Sequence, residues 1–129
     1  MGLDLTLLPL NNKIRLEGFV LCHDRLSFDR NYYTFAQIAD LNGKSQVSED
    51  GIEAIVRTFP LPPSVKVSTY EDEGIRTGRT NPYGEEMVYA LAGDLRKIRL
   101  PDNASEKNKA IMAYVGALEE NTPIILEWQ

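Results

Sequence analysis

Leu3, Leu5 and Leu7 alternate with Gly2, Asp4 and Thr6, the period that sets one face of a strand against a core, and Pro9 with Asn11 and Asn12 predicts its end. From Ile14 to Phe28 apolar, β-branched and aromatic residues recur, which predicts strand structure interrupted near Gly18 or across His23 to Arg25. Asp29 then stands where a helix cap belongs. Beyond it Tyr32, Phe35, Ile38, Ala39 and Leu41 repeat at helical spacing, and Asn42 with Gly43 supplies a left-handed stop, so the pattern predicts a helix between them. Ser48 to Phe59 reads as a second short helix, capped by Ser48 or Asp50 and carrying Ile52, Ile55, Val56 and Phe59 on one side, until Pro60, Pro62 and Pro63 end it.

Val65, Val67 and Thr69 alternate with Lys66, Ser68 and Tyr70, a strand that leads into a polar, glycine-punctuated stretch from Tyr70 to Gly84. Met87 to Leu91 offers a strand leading out, which together predicts a hairpin with a large polar tip. Residues 85–95 also admit a helix, because Met, Ala, Leu and Glu favour one, although Gly93-Asp94 argues against a continuous helix. Asp94 is then the cap of a short helix with Leu95, Ile98 and Leu100, stopped by Pro101. Ser105 opens an amphipathic helix through Ala110, Ile111, Tyr114, Val115 and Leu118, closed by Asn121-Thr122-Pro123. Ile124 to Trp128 is an apolar run of strand length. The expectation is one α+β domain over residues 1–129, a mixed or antiparallel sheet with three to four helices packed on it.

Composition fits that expectation. A chain of 129 residues, 43% hydrophobic and 26% charged, is the size of one core. Cys22 is the single cysteine, which excludes an internal disulfide framework, and the opening residues resemble no signal peptide, so a cytoplasmic protein is expected. No run approaches the length of a membrane span. A net charge of −5 argues against duplex nucleic acid as a partner, since that affinity comes from Lys and Arg neutralising phosphates.

Two constellations carry candidate chemistry. Cys22, His23, Asp24 and the later Asp29 are residue types used in acid–base work, but neighbours on a strand face opposite ways, and one histidine cannot supply a zinc site. Glu71, Asp72 and Glu73 lack the alternate spacing of a calcium loop, and Gly74, Gly78 and Gly84 match no phosphate-binding signature. No cofactor, metal or catalytic residue is expected. The second constellation is Arg76, Arg79, Asn81 and Tyr83 in the 74–84 loop, where paired guanidinium donors, an amide and an aromatic face suit an anionic, nucleotide-like ligand. The same residues also suit plain turn chemistry, with Pro82 and Gly84 fixing the backbone.

The order of landmarks, Met-Gly-Leu-Asp-Leu, Phe-Asp-Arg-Asn-Tyr, Asn-Pro-Tyr-Gly, Ala-Gly-Asp-Leu and Asn-Thr-Pro-Ile-Ile-Leu-Glu-Trp, resembles a family of small uncharacterised proteins of bacteria, prophages and phages. That resemblance brings no catalytic residue. It implies an accessory factor, one that sequesters a signalling molecule in anti-defence or occludes a host protein. The leading expectation is therefore a non-enzymatic binder of an anionic small molecule through the 74–84 loop. The alternatives are an inhibitor of a host enzyme acting through an acidic or aromatic surface, and a small hydrolase or transferase using His23, Asp24 and Asp29. Homo-oligomerisation is expected from the surplus of aromatic residues and from a terminal strand placed at a sheet edge.

Overall fold

Leu5 and Leu7 pack into one hydrophobic cluster and Leu8 into another, so the first strand is covered on both faces. The computed structural model describes residues 3–10 and 15–129. In chain order its elements are β1 (Leu5–Pro9), β2 (Phe19–Cys22), β3 (Leu26–Ser27), α1 (Tyr32–Phe35), β4 (Phe59–Pro60), β5 (Lys66–Glu71), β6 (Gly74–Gly78), β7 (Val88–Leu91), α2 (Ala92–Leu95), α3 (Glu106–Ala117) and β8 (Pro123–Trp128). Five strands form an antiparallel sheet in the order β3-β1-β8-β7-β4. The other three form a mixed sheet, β2-β5-β6, in which β2 runs parallel to β5 and β6 antiparallel to it.

The larger sheet has a core on each side. On one face Leu5, Leu7, Ile124 and Leu126 meet Phe35, Leu95, Ile111 and Val115 from the helical layer. On the other, Leu8 and Ile125 meet Val20, Cys22 and Val67 from the smaller sheet. The result is three layers of mixed α and β structure, mostly sheet. Since β8 is buried along both faces, its sequence reads as a continuous apolar run rather than an alternation.

The longest helix follows its sequence signals. Ser105 accepts a hydrogen bond from the Asn108 amide at 3.1 Å, a cap worth about 1 kcal/mol. The buried Asn108 side chain then holds both backbone groups of Asp29, accepting from its N–H at 2.8 Å and donating to its carbonyl at 3.0 Å. One amide thereby anchors the helix start to the loop before α1.

Elsewhere tertiary pairing overrides the pattern. The helix expected from Asp29 to Gly43 is a single turn, Tyr32–Phe35, capped by Asn31 instead of Asp29. Phe35, Ile38 and Ala39 are buried as the spacing implied, but Ile38 forms an isolated parallel bridge with Val56 and Ala39 an antiparallel one with Ser45. Residues 48–58 are likewise not helical, because the Ile55 and Val56 amides both donate to the Gln37 carbonyl. The break across His23 to Arg25 is present, between β2 and β3. Residues 85–95 resolve into the β7 strand and the α2 turn, with Leu91 at the cap position and Asp94 inside the first turn. The proposed edge position of the last strand is incorrect: β8 lies at the centre, between β1 and β7. Asn11, Asn12 and Ile14, used above as strand boundaries, lie outside the described residues. Among the described residues there are three helices, two of them only four residues long, and none is long and apolar enough to cross a membrane.

Candidate binding surface at the hairpin between β5 and β6

The expected large polar tip is instead a tight turn. Pairing runs to Glu71 opposite Gly74, so Asp72 and Glu73 alone make the turn, and Gly74 accepts a φ of 128° that side-chain-bearing residues rarely adopt. Residues 74–78 of the 74–84 segment are thus strand. Register then decides which way each side chain points. Cys22 is level with Thr69, and Thr69 with Arg76, so these three form a row across the inner face of the smaller sheet.

That row faces Glu127. Its carboxylate is 1% exposed and accepts from Arg25 at 3.2 Å and from Arg76, while Arg76 also donates to Glu71 at 2.6 Å. Hydrogen bonding to Glu127, against an opposing burial cost and with help from Glu71, holds the Arg76 guanidinium above its ordinary range. Burial, reinforced by the Glu127 charge, pushes the Cys22 thiol up to about 12, so this cysteine is an inert core group at neutral pH. Thr69 Oγ1 is buried in the same row with no hydrogen-bond partner among the described residues.

Arg79 and Asn81 are engaged internally as well. Arg79 Nη1 donates to the carbonyls of Pro62 at 2.9 Å and Val65 at 2.6 Å, and its Nε reaches Glu86 at 3.3 Å. Asn81 Oδ1 accepts from the amides of Tyr83 at 2.9 Å and Glu85 at 3.1 Å, which organises the turn closed by the Thr80 to Glu86 bridge. Tyr83 stands 45% exposed on that turn. The four residues therefore do not converge as donors on one open space. A phosphate reaching Arg76 or Arg79 must displace acceptors already in place.

What the hairpin does present is a different set. Tyr70 and Ile75, directly paired in register, are 49% and 59% exposed on the outer face, and the His23 ring lies 5.9 Å from that of Tyr70. Beside them an open groove of about 580 Å³ is lined by Arg25, Tyr70, Glu71, Asp72 and Glu73. Asp72 and Glu73 form no ion pair among the described residues. Among the described residues the outer edge of β6 carries no neighbouring strand.

The acid–base cluster does not assemble as a unit. Cys22 is buried and His23 exposed, Asp24 accepts from the Tyr114 hydroxyl at 2.9 Å, and the Asp29 backbone is held by Asn108. Among the described residues no group of three or more His, Cys, Asp or Glu side chains is arranged to hold a metal ion. Glu127 and Arg25 are the members of the interlayer network that sequence reasoning missed. The available signal was a lone carboxylate inside Ile-Ile-Leu-Glu-Trp, a charge that a buried strand tolerates only when paired. No family model matches the chain, and no curated protein or solved structure matches it.

Proposed function

We propose that the protein is a non-enzymatic binding module that takes a basic segment of a partner protein against the β5 to β6 hairpin. The observation that carries this reading is that Tyr70, exposed beside Ile75, lines one groove with the carboxylates of Asp72 and Glu73, which form no ion pair among the described residues. Aromatic side chains supply contact area with a polar handle, and clustered carboxylates select a positively charged partner and speed its approach. The edge of β6, unpaired among the described residues, adds backbone groups that an extended segment can join. Under the resemblance to phage-encoded proteins, that partner is a host enzyme. Capture of an anionic nucleotide is less favoured, since the donors that would serve it are committed to Glu127, Glu71 and backbone carbonyls.

A photo-crosslinking side chain placed at Ile75, with Lys107 on α3 as the control position, tests the reading in cells. A single basic partner is expected at 75 and not at 107, weakened by salt and lost on Asp72→Lys with Glu73→Lys. Equal labelling at both positions, or labelling indifferent to the charge reversal, overturns it. Thermal stabilisation by a nucleotide panel that disappears in Arg76→Ala would put phosphate capture in its place.

A further inference from the structure

Gln37 is 4% exposed and ties three separate stretches of chain together. Its side-chain oxygen accepts from the Arg99 amide at 2.9 Å, and its Nε2 donates to the carbonyls of Arg99 at 2.8 Å and Tyr33 at 3.1 Å. Its backbone carbonyl accepts the Ile55 and Val56 amides at 2.9 and 3.0 Å. A buried amide satisfied on all sides is a rigid joint. Each stretch it fixes nevertheless carries an exposed side chain, Tyr33 at 36%, Ile55 at 42% and Arg99. These three line one groove of about 620 Å³, which the turn at Gly51, Ile52 and Glu53 completes. Gly51 holds that turn at a φ of 76°, and the Ile52 amide donates to the Glu49 carbonyl at 3.3 Å.

The groove combines an apolar lining with one charge of each sign. Ile52 and Ile55 supply aliphatic surface and Tyr33 an aromatic ring. The Arg99 guanidinium and the Glu53 carboxylate share this groove, yet among the described residues neither forms an ion pair, with the other or elsewhere. Opposite charges that line one groove without meeting leave places for two ends of a ligand, an anionic group on the planar donor fork of Arg99 and a cation on Glu53. A ligand of one sign alone would set a like charge against one of them.

We infer that this groove binds a small zwitterion with an apolar side chain, of the class of short peptides and amino acids. Its carboxylate takes paired hydrogen bonds from Arg99, its ammonium lies against Glu53, and its side chain covers Ile52, Ile55 and Tyr33. Arg99 and Glu53 stand too far apart to pair directly, so the charged ends of the ligand are separated as well. The volume lies mid-range for small-molecule sites, about 300–1,000 Å³, and suits a peptide of about two or three residues. This groove shares no lining residue with the one at the hairpin, so it stands whether or not the hairpin has a partner.

Leucyl-leucine is the probe, read by the backbone amide resonances of Gly51, Ile52 and Arg99 in isotope-labelled protein. Saturable shifts are expected at these positions, and none with glycylglycine, which keeps both charges and lacks the side chains. Capping the amine as acetyl-leucyl-leucine, or the carboxylate as leucyl-leucinamide, should each weaken binding by about fivefold, the effect of roughly one exposed ion pair. Arg99→Gln and Glu53→Gln lie at exposed positions and should fold normally. In Arg99→Gln leucyl-leucine and leucyl-leucinamide should bind alike, and in Glu53→Gln leucyl-leucine and acetyl-leucyl-leucine should bind alike. Tighter binding of leucyl-leucine than of leucine identifies the source as a peptide, and the reverse order a free amino acid. The proposal is overturned by the absence of saturable shifts with both zwitterions, by an equal response to glycylglycine, or by caps that weaken binding as much in the matching glutamine variant as in the native chain.

Discussion

Glu127, on the central strand of one sheet, accepts a hydrogen bond from Arg76 on an edge strand of the other, so one buried carboxylate ties the two layers together. Arg25 is its second support. Either arginine alone leaves the charge partnered, and both side chains are about one-third exposed, so each single alanine variant should be mild. Arg25→Ala with Arg76→Ala strands the carboxylate in the core and is expected to cost about 3–5 kcal/mol, more than the two single effects summed. Adding Glu127→Leu to that double variant should recover part of the loss. Urea unfolding of the native chain, the two single variants and the double variant at constant slope measures the cycle, and the triple variant measures the recovery.

Arg79 bridges the end of β6 to the chain before β5 through the carbonyls of Pro62 and Val65. Arg79→Lys keeps the charge and loses the planar fork, which cannot be replaced by a single ammonium. A destabilisation of about 1.5–3 kcal/mol is expected for Arg79→Ala, with Arg79→Lys recovering less than half, as read by denaturant midpoint.

The thiol of Cys22 should titrate only in strong alkali. Below its ordinary value of 9.0 it is protonated in folded and unfolded chains alike and adds no pH dependence. Between there and about 12 the unfolded chain releases a proton that the folded chain keeps, so stability falls as pH rises through that window. The slope from this group approaches about 1.4 kcal/mol per pH unit at most. Comparison of pH–stability curves for the native chain and Cys22→Ala isolates it. At pH 8 the folded protein should also resist iodoacetamide until it is unfolded.

Two glycines should respond oppositely to alanine. A Cβ on Gly93 would lie 2.9 Å from Glu120 Cβ and 3.1 Å from its carbonyl oxygen, where the Gly93 amide already donates at 2.9 Å. Gly93→Ala should therefore cost about 1–3 kcal/mol by overpacking. Gly116, near the end of α3, has open space around it, and Gly116→Ala should stabilise by about 0.5–1 kcal/mol. Melting temperatures of the two variants check both signs.

Sequence patterning located what local physics controls. Ser105 and its helix, the alternation through Val65 to Thr69, and the apolar runs of β7 and β8 all carry their own signals, and each forms where those signals lie. Phe35, Ile38 and Ala39 were legible as core but not as structure, because helical spacing also describes a turn followed by bridges to Val56 and Ser45. The roles of Arg76 and Asn81 depended on partners invisible to a local reading. Glu127 lies far along the chain from Arg76, and the acceptor role of the Asn81 side chain exists only once the turn to Glu85 has closed. Arg76, close in sequence to Glu71, Asp72 and Glu73, read either as a donor to an anionic ligand or as part of a plain turn. Its alignment with Thr69 across the strand pair turns it inward instead.

The central position of β8 also governs when the fold can exist. β1 and β7 do not touch as neighbours; each meets only the opposite edge of β8, with Leu7 and Val88 both paired to Leu126. During synthesis on the ribosome, strands made early must wait with their apolar faces exposed until residues 123–128 clear the exit tunnel. The nascent chain is therefore open to chaperones, and to premature association, from the synthesis of β1 until β8 has emerged, and only then does the larger sheet close.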